Sequence, residues 1–124
     1  MNTLTVANMC YNLSIMVPEN IQKEIDSISR QIVEKYKPQK IILFGSAASG
    51  KFKPDSDLDF LIVKDNVPYL GRDRNRELNK LIERNTPADF LIYKSSEFEK
   101  YFNLGDPFLK AIVRDGRIIY EQRS

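Results

Sequence analysis

The stretch Phe44-Gly45-Ser46-Ala47-Ala48-Ser49-Gly50-Lys51-Phe52-Lys53-Pro54-Asp55-Ser56-Asp57-Leu58-Asp59-Phe60 decides how the rest of the chain is read. The apolar run Lys40-Ile41-Ile42-Leu43-Phe44 leads into it, and Phe60-Leu61-Ile62-Val63 leads out. Short apolar runs bounded by turn residues read as buried strands, here 39–44 and 57–64. Between them, Gly45-Ser46 predicts a tight turn and a short helix that reaches Lys51. Pro54-Asp55 then breaks the helix. The result is strand, turn, strand, with an anion cradle at one end and two carboxylates at the other.

Upstream, Pro18-Glu19-Asn20 starts a helix, since proline suits the first turn and glutamate the positive end of the macrodipole. Ile21, Ile25, Ile28, Ile32 and Tyr36 follow at helical spacing as one apolar stripe, and Pro38 stops it. Residues 1–17 alternate only weakly and are set apart as an N-terminal extension without an assigned structure. Residues 18–124 form the domain. Downstream, a helix is predicted over 72–85, with Leu78, Leu81 and Ile82 toward the core. Its other faces carry Arg72, Arg74, Arg76, Lys80 and Arg84, a solvated or partner-facing basic surface. Ala88–Tyr93 reads as a third strand. Ser95-Ser96-Glu97 opens a helix with Phe98, Tyr101 and Phe102 on its apolar side. Gly105-Asp106-Pro107 restarts it with Phe108, Leu109, Ile112 and Val113 inside. Gly116 is the C-cap candidate before a final strand, Arg117–Glu121. The fold class is α/β (α+β): one small domain with a mixed central sheet of about four strands flanked by helices.

Composition narrows the chemistry. The chain has 124 residues, the size of one domain. It carries 19 basic and 17 acidic residues, a formal charge of +2 that is too balanced to point to nucleic acid. It has no histidine, which leaves Asp and Glu as ligands for a hard metal ion. The lone cysteine, Cys10, fits an inert thiol in a reducing compartment. No apolar run is long enough to span a membrane, and the start lacks the pattern of a signal peptide, so a cytoplasmic protein is expected.

Asp57 and Asp59 are two apart, so on a strand both carboxylates share one face. Like charges that close are costly unless a cation is shared between them. Oxygen ligands of this kind suit Mg²⁺, and if the third strand lies beside 57–64, Asp89 would complete a three-carboxylate cluster able to hold two ions. A solvated strand edge is the alternative for Asp57-Leu58-Asp59 alone, although the apolar continuation favours a buried strand. Gly45 lets backbone amides approach an anion, and Ser46 starts a helix whose free N–H groups attract phosphate. A plain tight turn with Ser46 as N-cap explains the same pair. Gly45 to Lys51 also matches the first seven positions of a Walker A loop. Phe52 stands where Ser or Thr should bind Mg²⁺, and Pro54 blocks the long helix, so that assignment fails.

Gly45-Ser46, ten residues, then Asp57-Leu58-Asp59 resembles the Gly-Ser-x10-Asp-x-Asp signature of the DNA polymerase β-like nucleotidyltransferase superfamily. With Gly50 and Ser56 in place, it is similar to the minimal nucleotidyltransferase (MNT) branch. Asp89 sits where that family carries its third carboxylate, and Gly116-Arg117-Ile118-Ile119-Tyr120-Glu121 resembles its closing strand. The resemblance covers residues 20–122. It implies NMP transfer from a nucleoside triphosphate, AMP from ATP, with Mg²⁺ as two ions. By the same resemblance, Asp57, Asp59 and Asp89 are the catalytic and metal-binding residues. Gly45 and Ser46 hold the triphosphate, with Ser56 and Lys51 beside them. Many such domains are antitoxins that modify a tyrosine of a HEPN-type toxin, so a HEPN-type partner is expected. No partner in a membrane and no nucleic acid is expected, and a homo-oligomer is left open.

One departure matters. The family often has Arg between Gly-Ser and the following Gly, where this chain has Ala47, Ala48 and Ser49. Lys51 or Lys53 would have to supply the missing triphosphate contact. Two rivals therefore stand beside the protein-modifying enzyme. One is a catalytically weak binding module that neutralises its partner by occlusion. The other is a nucleotidyltransferase acting on RNA or a small molecule, motivated by the basic helix.

Overall fold

The structure is a computed structural model and describes residues 17–123. Cys10 and the extension up to residue 16 lie outside the described residues. The last residue of the extension, Val17, is buried in the core.

Helix α1 spans Glu19–Gln31 and continues as a π-turn over Ile32–Tyr36. Its stripe of Ile21, Ile25, Ile28, Ile32 and Tyr36 is buried throughout. Lys37 then takes a left-handed conformation, φ 56°, and Pro38 keeps the helix from resuming. Strand β1 (Lys40–Phe44) runs into the one-turn helix α2 (Ser46–Ser49), and β2 (Leu58–Val63) follows. Then come α3 (Gly71–Asn79), β3 (Ala88–Tyr93), α4 (Ser95–Asn103), α5 (Pro107–Asp115) and β4 (Arg117–Glu121).

The strands form one mixed sheet in the order β3-β2-β1-β4. β1 pairs antiparallel with β2 and β4, and β2 pairs parallel with β3. Alternation along the strands divides the interior into two layers. Ile41, Leu43, Leu58, Phe60, Ile62, Phe90 and Ile92 pack with α1, α2 and α3. Ile42, Leu61 and Val63 pack with Leu109 and Ile112 of α5, joined by Phe98 and Phe102 of α4. The family of strands is thus covered on both faces, as long apolar runs require.

Several expectations need correction. The helix predicted over 72–85 ends at Asn79. The following segment is strapped to α1 instead. Gln31 donates to the Glu83 carbonyl and accepts from the Glu83 amide, both at 2.8 Å. Glu24 accepts from the amides of Asn85 and Thr86, and Lys35 reaches the Leu81 carbonyl. These tertiary bonds satisfy backbone groups that a longer helix would have used itself. Arg74 is not on a solvated face: it is buried at 4% exposure. Phe108, Val113 and Tyr101, expected inside, are 49%, 47% and 42% exposed. Strand β2 begins at Leu58, so Asp57 lies just ahead of the ladder. Gly116 does follow α5, but in extended rather than left-handed conformation. A side chain there would collide with the Ile112 carbonyl and Ile42, so glycine is needed for the close approach of α5 to β1.

Candidate active site

The turn after β1 is built around Gly45. Its φ of 76° and ψ of −153° place it where L-residues are strained. Its carbonyl accepts from both Ala48 and Ser49 amides at 3.1 Å, which closes α2. The first N–H groups of a helix have no partner within it, so the Ser46 amide is left for another acceptor. Gly45 is exposed, Ser46 half-buried, and Ala47 and Ala48 pack into the core. Ala47 and Ala48 therefore present no charged group beside Gly45. Gly50, at φ 80°, ends α2 after one turn, which confirms that no P-loop helix follows.

Gly45 is required for a second reason. Any side chain on it would run into the carboxylate of Asp59. Asp59 stands on β2 directly opposite Phe44 of β1 and in register with Asp89 of β3. The ends of β2 and β3 are locked together by the Leu58 amide donating to the Pro87 carbonyl at 2.9 Å. Asn75 of α3 donates to the Phe90 carbonyl at 2.7 Å and fixes β3 one residue after Asp89. Asp57 and Asp89 are exposed, whereas Asp59 is half-buried. Burial, then the negative charges of Asp89 and Asp57, pushes Asp59 up to about 6. All three influences act in the same direction, so this corner concentrates negative charge around one carboxylate.

The three acids are not gathered into a closed cage: among the described residues, no group of three His, Cys, Asp or Glu is tight enough to hold a metal ion by itself. That openness is compatible with Mg²⁺, which takes one or two carboxylates and completes its shell with waters and substrate phosphates. An oxygen-only corner whose central carboxylate is opposed by burial and like charge, beside an exposed glycine turn, fits such an ion.

Ser56 has a local task. Its hydroxyl accepts from the Lys53 amide and its amide donates to the Lys53 carbonyl, both at 2.9 Å. This closes the loop that delivers Asp57. Lys51 is exposed just past α2, on the turn side of that loop.

Sequence reasoning missed the group that positions β3. The Arg74 guanidinium donates to the carbonyls of Pro68, Tyr69 and Ile92 and to both carboxylate oxygens of Glu97, the latter at 2.7 and 3.0 Å. Glu97 also accepts from the Lys94 amide at the start of α4. The bidentate bond from Arg74 holds Glu97 down at about 2. One signal was available. Arg74 lies four residues before Leu78, on the same stripe, and so faces the core.

Residues 25–120 match the family whose description is "Nucleotidyltransferase domain". A protein of Methanocaldococcus jannaschii described as a "putative protein adenylyltransferase" is 31% identical over 103 residues, covering 82% of this chain and 99% of that one. A solved structure of a "putative nucleotidyltransferase" from Sulfolobus solfataricus covers 93% of this chain and 86% of its own, with 16% identity and a TM-score of 0.48.

Proposed function

The chain belongs to the nucleotidyltransferase domain family and is an enzyme of that type, and from that premise we propose that it transfers AMP from ATP, with Mg²⁺, to a hydroxyl group of a partner protein. The observation that carries the reading is the acid corner. Asp59 sits in register with Asp89 and against Gly45, with its charge opposed by burial and by like charges. The description of the relative as a protein adenylyltransferase supports a protein acceptor. Within the reading, the acceptor is a tyrosine of a HEPN-type toxin, as the resemblance to the antitoxin branch implies.

Each residue then has a defined task. Gly45 lets the triphosphate approach the backbone, and Ser46 donates its amide and hydroxyl to phosphate oxygens. Lys51 adds positive charge at the mouth. Asp57 and Asp59, with Asp89, would hold Mg²⁺, which neutralises phosphate charge and polarises the phosphoryl group when bound. Asp89, exposed at the edge of the corner, takes the proton of the acceptor hydroxyl. The acceptor oxygen forms a bond to the α-phosphorus as the bond to pyrophosphate breaks, and pyrophosphate leaves. The burial of Arg74 removes one cation from the basic helix that motivated an RNA acceptor.

The test is direct. The chain is incubated with labelled ATP, Mg²⁺ and a HEPN-type partner. Label on a partner tyrosine is expected. A folded chain that binds ATP but labels no protein would overturn the reading in favour of occlusion. Among the described residues no helix is long and apolar enough to cross a membrane.

A further inference from the structure

We propose that the cavity between Phe44 and α5 holds the nucleobase of the nucleoside triphosphate, stacked on Phe108. This deepens the transferase reading and rests on it. The cavity measures about 280 Å³ and is lined by Phe44, Gly45, Ser49, Phe108 and Ala111, among others. That is near the lower end of the range for small-molecule pockets, room for part of a ligand rather than a whole nucleotide.

Its position joins it to the acid corner. Gly45 forms a wall of the cavity and also lies against the Asp59 carboxylate. Phe44 is the strand partner of Asp59, and neighbouring strands run about 4.8 Å apart. A ligand with its planar end over Phe44 therefore has its charged end beside Asp59 and Gly45. A larger cavity, of about 510 Å³, opens at the other ends of these strands, at Lys40 and Val63. It cannot serve the same nucleotide.

The aromatic geometry supplies the second argument. Phe108 sits on the apolar stripe of α5, yet is 49% exposed. Its ring meets Phe44 edge to face, with centroids 5.8 Å apart and planes at 89°. Two aromatic walls at a right angle suit a flat heterocycle, which stacks on one ring and presents its rim to the other. An aromatic face left half in water beside a phosphate-type turn gains by covering itself with a base. Stacking of this kind also tolerates any base, so preference among nucleotides is expected to be modest.

The experiment uses calorimetric titration with ATP and with inorganic tripolyphosphate, each with Mg²⁺. Wild type should bind ATP more tightly than tripolyphosphate. Phe108→Ala should weaken ATP binding about tenfold and leave tripolyphosphate unchanged. Phe108→Trp should restore ATP affinity. Ala111→Leu, which fills the cavity while Phe108 stays, should repeat the selective loss. Phe108→Ala binding ATP as wild type does, or losing both ligands equally, overturns the base assignment alone. Wild type that binds neither ligand overturns the transferase reading and the base assignment with it.

Discussion

The Asp59 corner and the Arg74–Glu97 pair stand at opposite ends of β3 and treat charge in opposite ways. At the start of the strand, Asp59 faces Asp89 and Asp57, and its carboxyl is pushed up to about 6. Past the end of the strand, Glu97 receives two bonds from a buried arginine and is held at about 2. The arginine also bonds three backbone carbonyls, so none of its charge is left unanswered. One end of β3 is an anchor with matched charge. The other end is a corner with mismatched charge, where burial and two like charges oppose the Asp59 carboxylate. The residue that anchors the fold and the residue proposed for chemistry thus differ in the sign of their electrostatic strain.

Exchanging the charges should separate the two ends. The largest effect is expected from Asp59→Asn. Transfer of label should fall below detection, because the proposed function makes Asp59 a ligand of the ion. The same change should raise the melting temperature of the metal-free protein, since a carboxylate opposed by burial and like charge is gone. Loss of activity together with loss of stability would break the comparison. Glu97→Ala should do the reverse. It leaves the Arg74 guanidinium buried and unpaired, a cost of about 3 kcal/mol, the low end for such pairs because Glu97 is itself a third exposed. Urea titration reads this as a lower midpoint with an unchanged slope.

Gly45→Ala joins both kinds of effect at a smaller scale. The left-handed region costs a non-glycine residue about 1–3 kcal/mol, and the new methyl must displace the Asp59 carboxylate. Stability should fall by about that amount, and ATP affinity should fall with it. An alanine variant with wild-type stability would show that the turn is not held where Asp59 needs it.

Periodicity carried most of the fold. The stripe from Ile21 to Tyr36 and the apolar runs of β1, β2 and β3 depend on local spacing alone, and each forms, with β1 and β2 slightly shorter than read. The candidate site was legible as residue types: Gly-Ser follows β1, and the pairing of β2 with β3 brings Asp59 into register with Asp89. What escaped depends on partners distant in sequence. The end of α3 is set by Gln31, Lys35 and Glu24, which lie 46 to 62 residues away from the groups they bind. Arg74 reads as a surface cation until Glu97 is placed beside it. The apolar run extends β2 back to Asp57, but the ladder starts only where Pro87 offers its carbonyl to Leu58. The exposure of Phe108 was hidden too, because a stripe predicts burial wherever a helix meets a sheet and cannot see a gap left between them.

The smallest effect is in the pH dependence of stability, where the two ends of β3 act with opposite sign. Asp59 is raised from 3.8 to about 6, so the folded chain holds this proton more tightly than the unfolded one. Its contribution is full below 3.8 and is lost as pH rises through about 6. Glu97 is lowered from 4.5 to about 2, so its contribution is full above 4.5 and is lost as pH falls toward 2. On acidification from neutral pH, the melting temperature of metal-free wild type should therefore climb first and fall afterwards. The climb should be roughly 1–3 °C, since Asp59 is only half-buried and solvent screens part of the repulsion. Asp59→Asn should lack the climb and keep the fall. Mg²⁺ should flatten the climb by stabilising the ionised carboxylate near neutral pH, and should leave the acid limb at Glu97 unchanged. A climb that survives in Asp59→Asn would assign the mismatch to some other group and remove the contrast between the two ends.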